Sequence, residues 1–120
     1  MKVIIDLIED IRTAIDNDRS FSLGAMGLKE GESGEYTPSW QSSISSFRLD
    51  EKAKKLFLFL GKEKALDIGT LLDRLDALGN EMMMYELCLS YSKENERIDS
   101  ALVGFGESFE DKKYLLFVSE

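Results

Sequence analysis

The 120 residues are 43% apolar and 10% aromatic, which suits a single domain able to bury about two-thirds of the surface of its unfolded chain. Twenty-three carboxylates against 15 basic residues leave a net charge of -8, a field that repels phosphate backbones and anionic lipid heads and draws cations inward. Nucleic acid and membranes are therefore not expected partners, whereas a basic protein surface or a cationic small molecule fits, and the acidity is concentrated in residues 61–120.

Ile4, Leu7, Ile8, Ile11 and Ile15 fall on one helical stripe, opposite Asp6, Glu9, Asp10, Arg12, Thr13 and Asp16, which predicts an amphipathic helix over residues 2–18. Phe21, Leu23 and Ala25 then alternate with small polar residues as a strand does. Gly31, Gly34 and Pro38, the only proline, mark residues 29–39 as an exposed loop. From Trp40 to Leu49 the apolar parity changes, even at Trp40 and Ile44, odd at Phe47 and Leu49. A strand with a bulge near Ser45 and Ser46 reconciles the two. After a turn at residues 50–54, Leu56 to Leu60 is apolar on both faces, the pattern of a strand covered on both sides or covered on one by a second subunit.

Asp67 is a candidate N-cap flanked by Leu66 and Leu71 as a hydrophobic staple, and Ile68, Leu71, Leu72, Leu75 and Leu78 form the buried stripe of a second helix. Gly79-Asn80 is expected to end it in a left-handed conformation. Met83, Tyr85, Leu87, Leu89 and Tyr91 alternate as one face of a long strand, with Met82, Met84, Glu86, Cys88, Ser90 and Ser92 on the other. The chain turns at residues 93–97, returns over 98–106, turns again at 107–111 and closes with a strand at Tyr114 to Val118. The expected fold class is α+β, an antiparallel sheet of about six strands with two helices in the order α-β-β-β-α-β-β-β. That order suggests an internal α-β-β-β duplication, since Phe47, Lys54, Lys55, Leu58 and Phe59 match Phe105, Lys112, Lys113, Leu116 and Phe117 at a constant offset.

Histidine is absent, which removes the usual general base, the partner of serine and cysteine nucleophiles, and the commonest metal ligand. No cofactor or metal is expected, and the chain reads as a non-enzyme. Cys88 is the only cysteine, so no intrachain disulfide forms, and with no leader-like or membrane-spanning run the expected location is the cytoplasm. Glu107, Glu110 and Asp111 form an acidic turn suited to a basic protein partner. A second candidate is the face carrying Met82, Met84, Glu86 and Cys88, with Tyr36 and Trp40 nearby, where a partly desolvated carboxylate among thioethers would take an organic cation. Strands apolar on both faces lean toward a homodimer.

The element order resembles that of the type III secretion chaperones, small acidic cytoplasmic bacterial dimers that open with a helix and three strands, although their closing helix has no counterpart here. A duplicated half with Glu86 also resembles the effector-binding domains that take up cationic drugs through a buried carboxylate. The charge asymmetry and the missing catalytic residues point first to a non-enzymatic protein-binding module of chaperone, inhibitor or immunity type, and the Glu86 face offers a small-molecule binder as the alternative.

Overall fold

In a computed structural model, which describes residues 1–120, the first stripe forms helix α1 (Ile4–Ile15) and buries Ile4, Leu7, Ile11 and Ile15. It is shorter than the periodicity suggests at both ends. Lys2 and Val3 are held beside a later strand, where the Lys2 carbonyl accepts from Leu87 N and Val3 bridges Glu86. The Val3 N–H donates to the Asp6 carboxylate over 2.9 Å, which satisfies one of the free amides at the helix start. At the other end Asp16 and Asn17 both turn left-handed, with φ of 50 and 56°, and Asn17 N reaches back to Ile11 O to close the helix.

Seven strands follow: β1 (Ser22–Glu30), β2 (Tyr36–Asp50), β3 (Lys55–Leu60), β4 (Glu86–Lys93), β5 (Glu96–Ala101), β6 (Gly104–Ser108) and β7 (Lys113–Ser119), with helix α2 (Ile68–Asp76) between β3 and β4. They lie in the order β5-β4-β3-β2-β1-β7-β6. The fold is α+β with two helices, but the sheet is mixed, since β1 runs parallel to β7 and β3 parallel to β4. The expected single strand over 98–106 is two, broken at Leu102-Val103, and the two pieces lie on opposite edges of the sheet. This corrects the antiparallel assignment and refines the count from about six strands to seven. It also overturns the duplication, because the first half contributes a contiguous β1-β2-β3 meander while the second is split, β4 and β5 to one edge, β6 and β7 to the other.

The split dictates the shape. Six strand spacings would set the outer strands about 29 Å apart in a flat sheet, yet three residue steps, from Ala101 to Gly104, reach about 11 Å at most. The sheet must therefore roll up so that its two edges approach at the Leu102-Val103 link. Leu102 anchors that link in the core at 3% exposure, and Val103 N donates to Phe117 O. The bend is made in β2, whose first part pairs with β1 and whose last part pairs with β3. Between them the register slips at Ser45, from Ile44 opposite Leu60 to Ser46 opposite Phe59, as the change of parity predicts. Where the two parts of β2 diverge, the segment entering α2 fills the gap, with Leu66 N donating to Ile44 O and Leu23 N to Leu66 O.

Residues 36–39 belong to β2 rather than to the expected loop. Pro38 sits at a second register slip, Trp40 facing Gly27 and Pro38 facing Leu28, on a stretch that β3 does not reach. A proline costs no ladder bond there.

Helix α2 starts as its sequence predicts, with the Asp67 carboxylate accepting from Thr70 N over 2.6 Å and Ile68, Leu71, Leu72 and Leu75 buried. It ends sooner. Gly79 has φ of -72° and is not left-handed; it leads into a single 3-10 turn at Asn80–Met82. That turn takes up the methionines, so the strand expected from Met83 begins only at Glu86. The carbonyls of Met83 and Tyr85 serve α1 instead, accepting from Ile5 N and Ile4 N.

The inner face of the roll and both helices share one core of 20 buried residues, among them Leu23, Ala25, Ile44, Leu56, Leu58, Leu87, Leu89, Tyr114, Leu116 and Val118. On the outer face, side chains of the chain itself lie over part of the second apolar side of these strands. Phe57 is only 8% exposed because the guanidinium groups of Arg48 and Arg97 lie over its ring at 5.8 and 5.9 Å. Phe117 lies across Gly106, where a Cβ would come within 2.4 Å of the ring. No helix is long and apolar enough to cross a membrane.

Candidate partner-binding surface

Tyr114 organises the acidic surface. It is fully buried on β7, its ring stacked on Phe105 of β6 at 6.2 Å, and its hydroxyl donates to the Asp10 carboxylate of α1. Burial, then the hydrogen bond and charge of Asp10, then the charge of Glu107, push the phenol far above its ordinary range. The contact fixes the flank of α1 bearing Asp6, Asp10 and Thr13 along β6. Between them runs a groove of ≈ 320 Å³ lined by Lys2, Asp6, Glu9, Asp10, Arg12, Thr13 and Phe105. The Lys2 ammonium lies over the Phe105 ring at 5.5 Å.

Of the sequence-predicted partner residues, Glu107 joins this surface. It is the register partner of Tyr114 and follows Phe105 on the same face of β6. Glu110 and Asp111 lie beyond it in the β6–β7 turn, where Asp111 N and carboxylate both meet the Ser108 hydroxyl. Asp111 lines a separate polar hollow of ≈ 410 Å³ on the outer face with Ser22, Gly24, Gln41, Ser43 and Lys113. Lys112 is turned back onto the loop after α1, 3.0 Å from the Ser20 hydroxyl and 3.9 Å from Asp18, so it leaves the acids of the turn unpaired by its charge. The α1 carboxylates Asp6, Glu9 and Asp10 are the part of the surface that sequence reasoning assigned only to a solvated helix face. Their spacing recorded that face, but nothing local recorded that it would lie beside Glu107.

The residues of the second candidate do not converge. Glu86 and Cys88 are on the outer face of β4, Met82 and Met84 lie in and after the 3-10 turn, and Tyr36 and Trp40 are at the start of β2. Glu86 is paired with Lys55 across the β3–β4 ladder at 3.6 Å, and the Cys88 thiol lies 3.8 Å from its carboxylate. Burial, reinforced by the Glu86 charge, pushes that thiol up, which disfavours the nucleophilic thiolate. Trp40 points to the inner face, where its ring takes the place a Gly27 side chain would fill. No set of three or more potential ligating side chains is gathered into a metal site.

No protein-family model matches the sequence, and no curated protein or solved structure is detectably similar to it.

Proposed function

We propose that this chain is a non-enzymatic protein-binding module, of chaperone, inhibitor or immunity type, that presents an acidic surface to a basic partner in the cytoplasm. The observation that carries this reading is the union of Glu107 with Asp6, Glu9 and Asp10 beside one groove, tied together through Tyr114. Carboxylates gathered on one side of a chain of net charge -8 steer a cationic surface toward that side and set its register on arrival. The absence of histidine argues in the same direction, since it leaves the site without an ordinary proton shuttle.

The test is affinity capture from the native host with the wild-type chain and with a Glu9→Lys/Glu107→Lys variant, both positions being exposed. The expected result is a basic protein retained by the wild type, released between 50 and 500 mM salt (roughly the span over which the screening length falls severalfold), and lost by the variant. Retention of the same protein by the variant at unchanged salt sensitivity overturns the reading.

A further inference from the structure

Resting on that reading, we propose that an extended segment of the basic partner binds as an added strand on the outer side of β6, with its alternate side chains lying along the groove beside α1. Strand β6 ends the sheet, and no strand or isolated bridge pairs with its outer side. The two edges of the sheet are unlike. Strand β5 carries Glu96, Arg97 and Asp99, the charged residues by which natural edges discourage pairing. Strand β6 reads Gly104-Phe105-Gly106-Glu107-Ser108, with one charge and two glycines, and keeps its backbone open to approach.

The periodicity of a strand then selects the chemistry. Phe105 and Glu107 share the face of β6 that looks toward Asp6, Asp10 and Thr13, so every second side chain of an incoming strand enters the same groove. A lysine or arginine there lays its aliphatic stem on Phe105 and its charge among the carboxylates. The chain already displays this contact internally, since Lys2 holds its ammonium 5.5 Å from the Phe105 ring centroid, an arrangement in which ring and cation attract. The same charges exclude a second copy as the occupant: pairing two β6 edges would bring two α1 acidic flanks together on chains of net charge -8, and like charges across an interface oppose association. Backbone hydrogen bonds would supply affinity and the alternate basic side chains specificity, the division of labour in strand addition generally.

The probes are three capped pentapeptides, Lys-Val-Lys-Val-Lys, the same peptide N-methylated at its three central residues so that neither strand direction keeps its ladder amides, and Glu-Val-Glu-Val-Glu, titrated into the isotopically labelled chain at low salt. The expected result is that the lysine peptide shifts the amide signals of residues 104–108 and slows their hydrogen exchange, that N-methylation weakens binding at least tenfold, and that Lys2→Ala, by vacating the Phe105 ring, strengthens it. Equal binding of the two lysine peptides, with the β6 amides unmoved, overturns strand addition while leaving the acidic surface as a charge-recognition site. A lysine peptide that binds no better than the glutamate peptide overturns both.

Discussion

The indole of Trp40 lies against the ring of Tyr91 with centroids 5.2 Å apart, although Trp40 opens β2 and Tyr91 is near the end of β4, with β3 between those strands in the sheet. The two rings meet across the inside of the roll, and they do so where Gly27 leaves room. A Cβ at position 27 would lie 2.2 Å from the Trp40 ring nitrogen. Lys93 and Glu120 close the same end from outside at 3.3 Å.

Gly27→Ala should therefore force the indole out of its seat. The expected cost is about 1–3 kcal/mol, the usual range for overpacking a filled core, read as a lower urea midpoint with an unchanged slope. Because Trp40 is the only tryptophan, its emission should move to longer wavelength in the folded variant. An unshifted spectrum with wild-type stability would show that Trp40 is not packed as described.

Tyr114→Phe should cost about 1.5–3 kcal/mol, the range for a hydrogen bond to a charged acceptor, while preserving the ring contacts with Phe105. Its pH signature separates this from simple loss of packing. The Tyr114 hydroxyl is held above its ordinary value in the folded chain, whereas in the unfolded chain it ionises near the usual value of about 10. Above that pH the unfolded state binds fewer protons than the folded one. Stability is thus fully present below pH about 10 and falls as pH rises beyond it, by up to about 1.4 kcal/mol per unit. Denaturant midpoints measured from pH 8 to 11 should show this decline in the wild type and a shallower one in the phenylalanine variant.

Arg48→Ala/Arg97→Ala should strip the cover from Phe57 and, through Arg97, from Phe59, over whose ring Arg97 also lies at 5.6 Å. Each cation–ring contact contributes about 0.5–1 kcal/mol at an exposed site, so the loss of stability should be modest. The larger effect is a new apolar patch on the outer face. Increased binding of an apolar dye and stronger concentration-dependent association in light scattering are expected relative to the wild type.

Glu94→Asn/Asn95→Gly should stabilise the chain. Residues 94 and 95 join β4 to β5 and both have positive φ, 53 and 66°, the geometry of a two-residue hairpin turn that favours Asn-Gly. A glutamate in the left-handed region costs about 1–2 kcal/mol relative to residues suited to it. A gain of about 1 kcal/mol, seen as a melting temperature raised by a few degrees, is the expected outcome; no gain would mean that residues 94 and 95 are not held in the left-handed region.

Periodicity made the inner face readable in advance. Leu87 and Leu89, Ile68, Leu71, Leu72 and Leu75, and Ile4, Leu7, Ile11 and Ile15 are buried as their spacing marks, with Ile8 half-buried at the edge of the stripe, and the change of parity around Ser45 located the bend of β2. Partner choice was not readable, because a strand's own pattern of alternation does not state which strand will lie beside it or in which direction. The break at Leu102-Val103 carries no glycine or proline of its own, so residues 98–106 read as one strand. Gly79 looked like a helix stop, yet Leu78 N already turns back to Leu75 O and the chain leaves the helix before reaching it. That Phe57 is covered from within the chain was not readable either, because Arg48 and Arg97 come from other strands. For the candidate site, Glu107 was visible as an acid, but its neighbours on α1 meet it only through the Tyr114–Asp10 contact, which spans 104 residues.

The parallel pair of β1 and β7 sets the order of assembly. The β2–β3 and β4–β5 hairpins are built from neighbours in sequence and can form early, whereas Ser22 to Leu28 must wait for Lys113 to Ser119, a loop closure across most of the chain that slows folding. Until it closes, β1 offers an unpaired apolar edge of Leu23, Ala25 and Met26, the feature that makes partly folded chains adhere to one another. Refolding should accordingly be slowest, and aggregation worst, in the step that seats β7 between β1 and β6, and the acidic surface organised by Tyr114 comes into existence only when that step is complete.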